Sequence, residues 1–193
     1  QASYTAEPDN AVLFTAHTLY RIGSEGMELK NEVTNNSGLE TIARVGQSFR
    51  LPAAFDTLTW YGKGPWETYA DRKDAALIGL YTSSVAEQHV PFAVPCECGG
   101  HEDTRFAALS DGTHTVQIVG SDDFHFSALP YSIAEYRKAT YEEELPEQTT
   151  GTWLILDVAH AGLGGDTGWT KNIHPEYRVC KGRYSYTFRF HFA

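Results

Sequence analysis

Cysteine is scarce in this chain: three among 193 residues. The number is odd, and Cys96 and Cys98 stand too close together for a structural bridge. A disulfide scaffold is therefore not supported, and the fold has to rest on an apolar core. Positive charge is scarce too. Fifteen Lys and Arg face 25 Asp and Glu, for a net charge of -10. That balance argues against nucleic acid and anionic membrane surfaces as partners. Long apolar runs are missing: Trp153-Leu154-Ile155-Leu156 falls far short of the roughly 20 residues a membrane helix needs. No signal-peptide pattern, internal repeat, low-complexity tract or linker is visible. The chain starts at Gln1 rather than Met, which reads as a processed form or an excised fragment.

What is present is a chain rich in large rings, with 11 Tyr, 10 Phe and 4 Trp, and long enough to bury a sizeable core. Its periodicity is nearly all of one kind. Tyr184, Tyr186, Phe188, Phe190 and Phe192 alternate with Ser185, Thr187, Arg189 and His191, the two-residue period of a strand with one wet face. Val12-Phe14-Ala16 and Met27-Leu29 repeat it less strictly. Residues 105–109 and 113–119 flank Ser110-Asp111-Gly112, a hairpin signal. Residues 41–51, 58–61, 124–129 and 152–158 are further strand candidates. One stretch argues for a helix: Ser132 and Glu135 have the capping-box spacing ahead of Tyr136 and Ala139. The pattern predicts a single all-β domain over 1–193, an antiparallel sandwich with at most one short helix near 132–140.

Four segments hold the candidate chemistry. "HAGLGGDTGWT" (160–170) packs four glycines around one acid and one tryptophan. A dinucleotide fingerprint would need G-x-G-x-x-G between a strand and a helix, but no helical pattern follows Trp169 and no Walker lysine is placed. Cys96, Cys98 and His101 could form a metal clip, yet no second Cys/His pair stands at a usual spacing, so a tight loop of small residues is the better reading. In "GKGPWETYADR" (62–72) glycines and proline shape a turn that Glu67, Asp71 and Arg72 can fix. An acid/base pair among Glu67, Asp71, Glu97, Glu102 and Asp103 is the alternative reading, which spacing alone does not test. No Ser/His/Asp order for nucleophilic catalysis stands out.

Taken together, "YGKGPWETYADR" (61–72), "VPFAVPCECGGHEDTR" (90–105), "FSALPYS" (126–132) and "LDVAHAGLGGDTGW" (156–169) resemble the C-terminal domain of the large bacterial β-galactosidases of glycoside hydrolase family 2. The likeness runs from about Ala11 to the end. It implies a supersandwich of antiparallel sheets, galactose mutarotase-like, as the fifth and last domain of the polypeptide. It also implies that the two catalytic glutamates of a retaining mechanism lie in a TIM-barrel domain outside this chain, so no catalytic residue is expected here. The loop tryptophan that such a domain lends to the sugar site falls on Trp169. An indole face packs well on a pyranose. Asp166, His160, Glu67, Arg72 and Glu97 are the candidates for loop support. The sequence departs from the family pattern at Phe92, Cys96, Cys98 and Gly168, which bears on hydrogen bonding near the sugar. The family's domain is also longer, with its first strands expected before Gln1.

The resemblance makes the chain a β-galactosidase domain acting on terminal β-D-galactosides, inactive alone. Its expected partners are the galactoside, the other domains of the same polypeptide and further copies in a homo-oligomer. No cofactor and no metal are expected on this chain; the Mg and Na that the whole enzyme can use would sit on ligands in other domains. Two readings stay beside it. One is a free-standing carbohydrate-binding sandwich. The other is a mutarotase-like aldose epimerase, for which His160 and a nearby Glu would have to serve as acid and base. The compartment is open between cytoplasm and periplasm, and the odd cysteine count favours the reducing cytoplasm.

Overall fold

The computed structural model describes residues 2–6, 11–164 and 172–193. Among them ten strands follow one another: β1 (Ala2–Ala6), β2 (Ala11–Gly23), β3 (Gly26–Asn35), β4 (Arg44–Leu51), β5 (Thr57–Gly64), β6 (Leu77–Ser84), β7 (Gly100–Ser110), β8 (Thr115–Leu129), β9 (Thr152–His160) and β10 (Gly182–Phe192). All their pairings are antiparallel, in the order β1-β2-β3-β10-β8-β7-β5-β6, with β9 and then β4 branching from β8. The chain is all-β, with one short α-helix, α1 (Ile133–Lys138).

The branch makes the layers. The first part of β8 pairs with β10, from Val116 to Gly120, and the last part pairs with β9, from His125 to Leu129. Gly120 lies at the divide, where an added Cβ would stand 2.5 Å from the Asp122 carbonyl and 2.8 Å from the Phe124 ring. The β9–β4 arm then folds over β3 and β10: Phe49 meets Phe190 edge-on at 5.1 Å, and Gln47 Nε2 donates to Asn31 Oδ1 at 2.9 Å. Leu29, Val45, Trp60, Phe126, Leu154, Leu156 and Phe188 fill the core between them. Full burial of such side chains stabilises by about 1.5–3 kcal/mol each. A bulge at Val45/Gly46 fits β4 to β9. A Cβ on Gly46 would stand 2.2 Å from the Leu156 carbonyl, so only glycine allows this approach.

The helix begins where the capping box places it. Ser132 Oγ accepts from Glu135 N–H at 3.1 Å and Glu135 Oε2 accepts from Ser132 N–H at 2.6 Å. It ends after one and a half turns, with Arg137 and Lys138 at its carbonyl end and Ala139 extended. Tyr136 anchors it over a second, smaller core of Cys98, Leu129 and Leu145. The 110–112 hairpin forms as expected, with Asp111 Oδ1 accepting from Thr113 and His114 N–H. The two strands expected at 113–119 and 124–129 join into the single bent β8, with Gly120 at the point where a Cβ would collide with the Asp122 carbonyl and the Phe124 ring. β6 has no counterpart in the sequence reading. Its more shielded positions carry Gly79, Tyr81 and Ser83 while Leu77, Ile78 and Leu80 face out, which inverts the usual alternation. No helix among the described residues is long and apolar enough to cross a membrane.

Core and surface leucines should respond very differently to truncation. Leu154→Ala, at a position with no exposure, is expected to lower unfolding stability by about 2–5 kcal/mol. Leu80→Ala, 66% exposed, should stay within about 0.5 kcal/mol. Urea denaturation of both variants checks the layer assignment.

Candidate functional site

The glycine loop leaves the end of β9 on a built foundation. Ala161 N–H donates to the Ala43 carbonyl at 2.9 Å and Gly162 N–H to the Tyr177 carbonyl at 2.9 Å. Asp71 then takes two consecutive amides: Oδ1 accepts from Leu163 N–H at 3.0 Å and Oδ2 from Gly164 N–H at 2.6 Å. A Cβ on Gly162 would stand 2.7 Å from the Asp71 carboxylate, and Gly164 adopts a positive φ of 74°. The glycines are there because the carboxylate has to come this close. Trp169 and Asp166, farther along, lie outside the described residues. Beside the foundation runs a groove of about 480 Å³ whose lining includes Trp66, Asp71, Arg72, Lys73 and Tyr177.

The turn that carries Asp71 is itself tied down. Arg72 pairs with Glu67, Glu67 Oε2 accepts from Gly99 N–H at 2.9 Å, and Thr68 N–H donates to the Gly100 carbonyl at 2.7 Å. Tyr69 N–H and Arg72 N–H exchange bonds with each other's carbonyls. Glu67 and Arg72 thus brace the turn against the start of β7, one step removed from the glycine loop.

Next to this lies a buried charged cluster drawn from four elements. Arg44 from β4 pairs with Glu97, sits 2.8 Å from His160 Nε2 and 3.5 Å from Asp157 Oδ2. His160 Nδ1 lies 2.7 Å from the Ala161 carbonyl, which can only accept, so Nδ1 carries the proton and Nε2 offers its lone pair to Arg44. Glu97 Oε1 is 3.7 Å from His160 Nε2. His125, from β8, has Nδ1 2.8 Å from Glu102 Oε1 and stacks on His160 with ring centroids 4.4 Å apart. The Tyr69 ring lies 5.5 Å from both imidazoles.

Burial and charge pull these groups in different directions. Burial raises the Glu97 carboxyl, but the Arg44 guanidinium paired with it outweighs burial and holds Glu97 below the ordinary carboxylate range. Burial wins at Asp157, raised to about 6 against the attraction of Arg44, and at Glu102, raised to about 7 against that of Lys73. Burial also pushes His125 well below its ordinary value. Several atoms here have no hydrogen-bond partner among the described residues: Arg44 Nη1, Glu97 Oε1, His125 Nε2 and both carboxylate oxygens of Asp157.

The sequence singled out His160 and Glu97, and the fold brings them together. Arg44, His125 and Asp157 were missed. They are far apart in the chain and meet only through the β4–β9 and β8–β9 pairings, in which His125 stands opposite Asp157. One signal was available: Asp157 interrupts an apolar run, where a carboxylate needs a partner. The Cys96, Cys98 and His101 side chains do not share a centre. His101 spends its two nitrogens on Gln88 Oε1 and the Lys63 carbonyl, Cys98 faces Tyr136 and His89, and Cys96 is exposed.

Comparison with known proteins adds a lineage. A sequence model of the family described as "Beta galactosidase small chain" matches residues 1–190. The chain is similar to the β-galactosidase of Priestia megaterium, with 35% identity over 92% of this chain and 17% of that protein. It is similar also to the β-galactosidase of Vibrio cholerae, with 38% identity over 85% of this chain and 15% of that protein. It thus spans less than a fifth of the length of these relatives. Among solved structures, a putative aldose 1-epimerase from Escherichia coli K12 aligns over all of this chain and 63% of its own, with a TM-score of 0.47 and 9% identity. A galactose mutarotase-like protein from Lactobacillus casei aligns with a TM-score of 0.40 and 8% identity, over 99% of this chain and 73% of its own.

The Asp71 clamp can be tested directly. Hydrogen bonds to a charged group contribute about 1.5–3 kcal/mol each. Asp71→Ala should therefore speed hydrogen exchange at the Leu163 and Gly164 amides by at least about tenfold, with β5 and β7 amides unchanged. Asp71→Asn keeps one acceptor oxygen and should lose protection mainly at one of the two amides.

Proposed function

The chain belongs to the beta galactosidase small chain family, and on that premise we propose that it completes the galactoside site of a β-galactosidase whose catalytic carboxylates lie elsewhere. The observation that carries this reading is the two-amide grip of Asp71 on Leu163 and Gly164. It gives the segment bearing Trp169 a fixed point of departure. A platform residue has to be positioned before the sugar arrives, because ordering it on binding would consume the affinity it supplies.

The proposed role of Trp169 is to stack its indole on the C–H face of the galactosyl ring. Chemistry in a retaining glycosidase needs two carboxyl groups about 5–5.5 Å apart and open to the glycosidic bond. The clustered carboxyls of this chain are otherwise engaged: Glu97 with Arg44, Glu102 with His125, and Asp157 with no exposure beside Arg44. That supports placing the acid/base and the nucleophile in the remainder of the polypeptide. The remainder needs a place to dock, and the β5–β6 edge suits it. Leu77 is 74% exposed, Leu80 66%, and Trp66, just beyond Gly64 where β5 pairs with Leu77, 66%. Apolar groups gathered at one edge mark a surface to be covered.

Two outcomes follow. The 193-residue chain alone should not hydrolyse a chromogenic galactoside, and turnover that survives repurification would overturn the reading. In the complete enzyme, Trp169→Ala should raise KM for galactosides about tenfold or more, since losing a stacked ring costs about 1–3 kcal/mol of binding. Trp169→Phe should recover part of the loss. Unchanged kinetics together with a melting temperature lowered by several degrees would make Trp169 a packing residue and sink the platform role.

A further inference from the structure

Most of the unmatched atoms in the buried cluster beside the glycine loop are acceptors, and we propose that Glu97, His125 and His160 form a binding site for a divalent transition metal of the zinc type. Each offers one ligand atom, and these atoms lie within 4.8 Å of one another. A tetrahedral zinc with bonds of about 2.0–2.2 Å holds its donors roughly 3.4 Å apart, so the closure required is about 1.4 Å at most. Two imidazoles and a carboxylate are the donors zinc takes when it keeps a fourth position open. Magnesium and calcium favour oxygen-rich shells of six or more ligands, which this cluster does not offer.

An independent observation points the same way. The His125 side chain is 3% exposed, yet its Nε2 has no partner among the described residues. Its other nitrogen faces Glu102 Oε1 at 2.8 Å. An ionised Glu102 accepts the Nδ1 proton, which turns the Nε2 lone pair toward the centre. This is the carboxylate–histidine arrangement that orients metal ligands. Glu97 Oε1 is a further buried acceptor without a donor. A buried site rich in unmatched lone pairs favours a cation.

Arg44 is the competitor. It now holds His160 Nε2 and Glu97 Oε2, and its other nitrogen lies 3.5 Å from an Asp157 whose oxygens are both unmatched. Turning the guanidinium onto Asp157 would free His160 and Glu97 while giving Asp157 the bonds it lacks. The two imidazoles stack, with planes 24° apart, so one must rotate for both lone pairs to meet a single ion. His160 has the space, because cavities of about 220 and 190 Å³ both include it in their lining. The larger also touches Arg44 and Glu97.

The test uses the 193-residue chain with Cys96→Ser and Cys180→Ser, which remove the exposed thiols, at pH 8. Titration with Co2+, followed by its visible absorption, and with Zn2+ by calorimetry should give one ion per chain. Glu97→Gln and His125→Gln should each weaken binding by at least about tenfold, and Glu102→Gln by about tenfold through the loss of orientation. Binding unchanged in both ligand variants, no binding at all, or a cobalt–thiolate charge-transfer band from Cys98 would overturn the assignment. If His125→Gln fails to fold, Glu97→Gln decides alone. Glu97 is in a loop with its side chain 28% exposed, and near-UV circular dichroism verifies that variant's fold.

Discussion

Strand β8 pairs with three neighbours, and the position of every functional group depends on how it divides them. Its first part belongs with β10 and its last part with β9, while β7 runs along its other side. A strand can serve two partners in succession on one edge only if it bends between them, and the bend falls at Gly120 to Asp123. Without it β9 would lose its pairing with β8, and β4, held by β9, would not fold over β3 and β10. The same bend turns His125 toward Asp157 across the β8–β9 pair and carries Arg44 and His160 to the meeting point of the layers.

That meeting point is costly to keep. Moving charged groups out of water carries a penalty that their mutual attraction only partly offsets, so a buried ion pair is a weak source of stability. The raised Asp157 carboxyl, at about 6, reflects this directly: burial opposes its ionisation more strongly than Arg44 favours it. An apolar quartet of similar volume would fill the space as well. What apolar packing does not supply is a fixed set of oriented lone pairs between two sheets: Glu97, His125 and His160 bring ligand atoms within 4.8 Å of one another, and Arg44 Nη1 and the Asp157 oxygens stay unmatched beside them.

Much of the scaffold was legible because it rests on short-range rules. The period of two through Tyr186, Phe188 and Phe190 describes a strand with one buried face, and those three rings are buried. Ser132 and Glu135 are three residues apart, and that spacing alone locates the start of α1. β6 was illegible because its apolar residues Leu77, Ile78 and Leu80 face outward, so alternation carries the wrong sign. The cluster escaped for a different reason. Arg44, Glu97, His125 and His160 have no spacing in common, since antiparallel register and not sequence distance brings them together. The glycine loop is an intermediate case: its composition announced a close approach, but nothing near it in sequence named Asp71, 92 residues away, as the group approaching.

The two features share a backbone. Asp157 and His160 close β9, His160 Nδ1 bonds the Ala161 carbonyl, and Ala161 N–H is fixed to Ala43, the residue before Arg44. Gly162, Leu163 and Gly164 follow at once, under the grip of Tyr177 and Asp71. A stretch of eight residues, 157–164, therefore runs from a carboxylate with no exposure to the base of the loop proposed to meet the sugar, with a bonded partner at nearly every step. Rigid, densely bonded segments transmit small displacements because their contacts leave no slack. His160 stands at the junction, with one ring nitrogen committed to the loop's backbone and the other to the charged cluster, so any change in what Nε2 binds acts on the residue from which the loop departs.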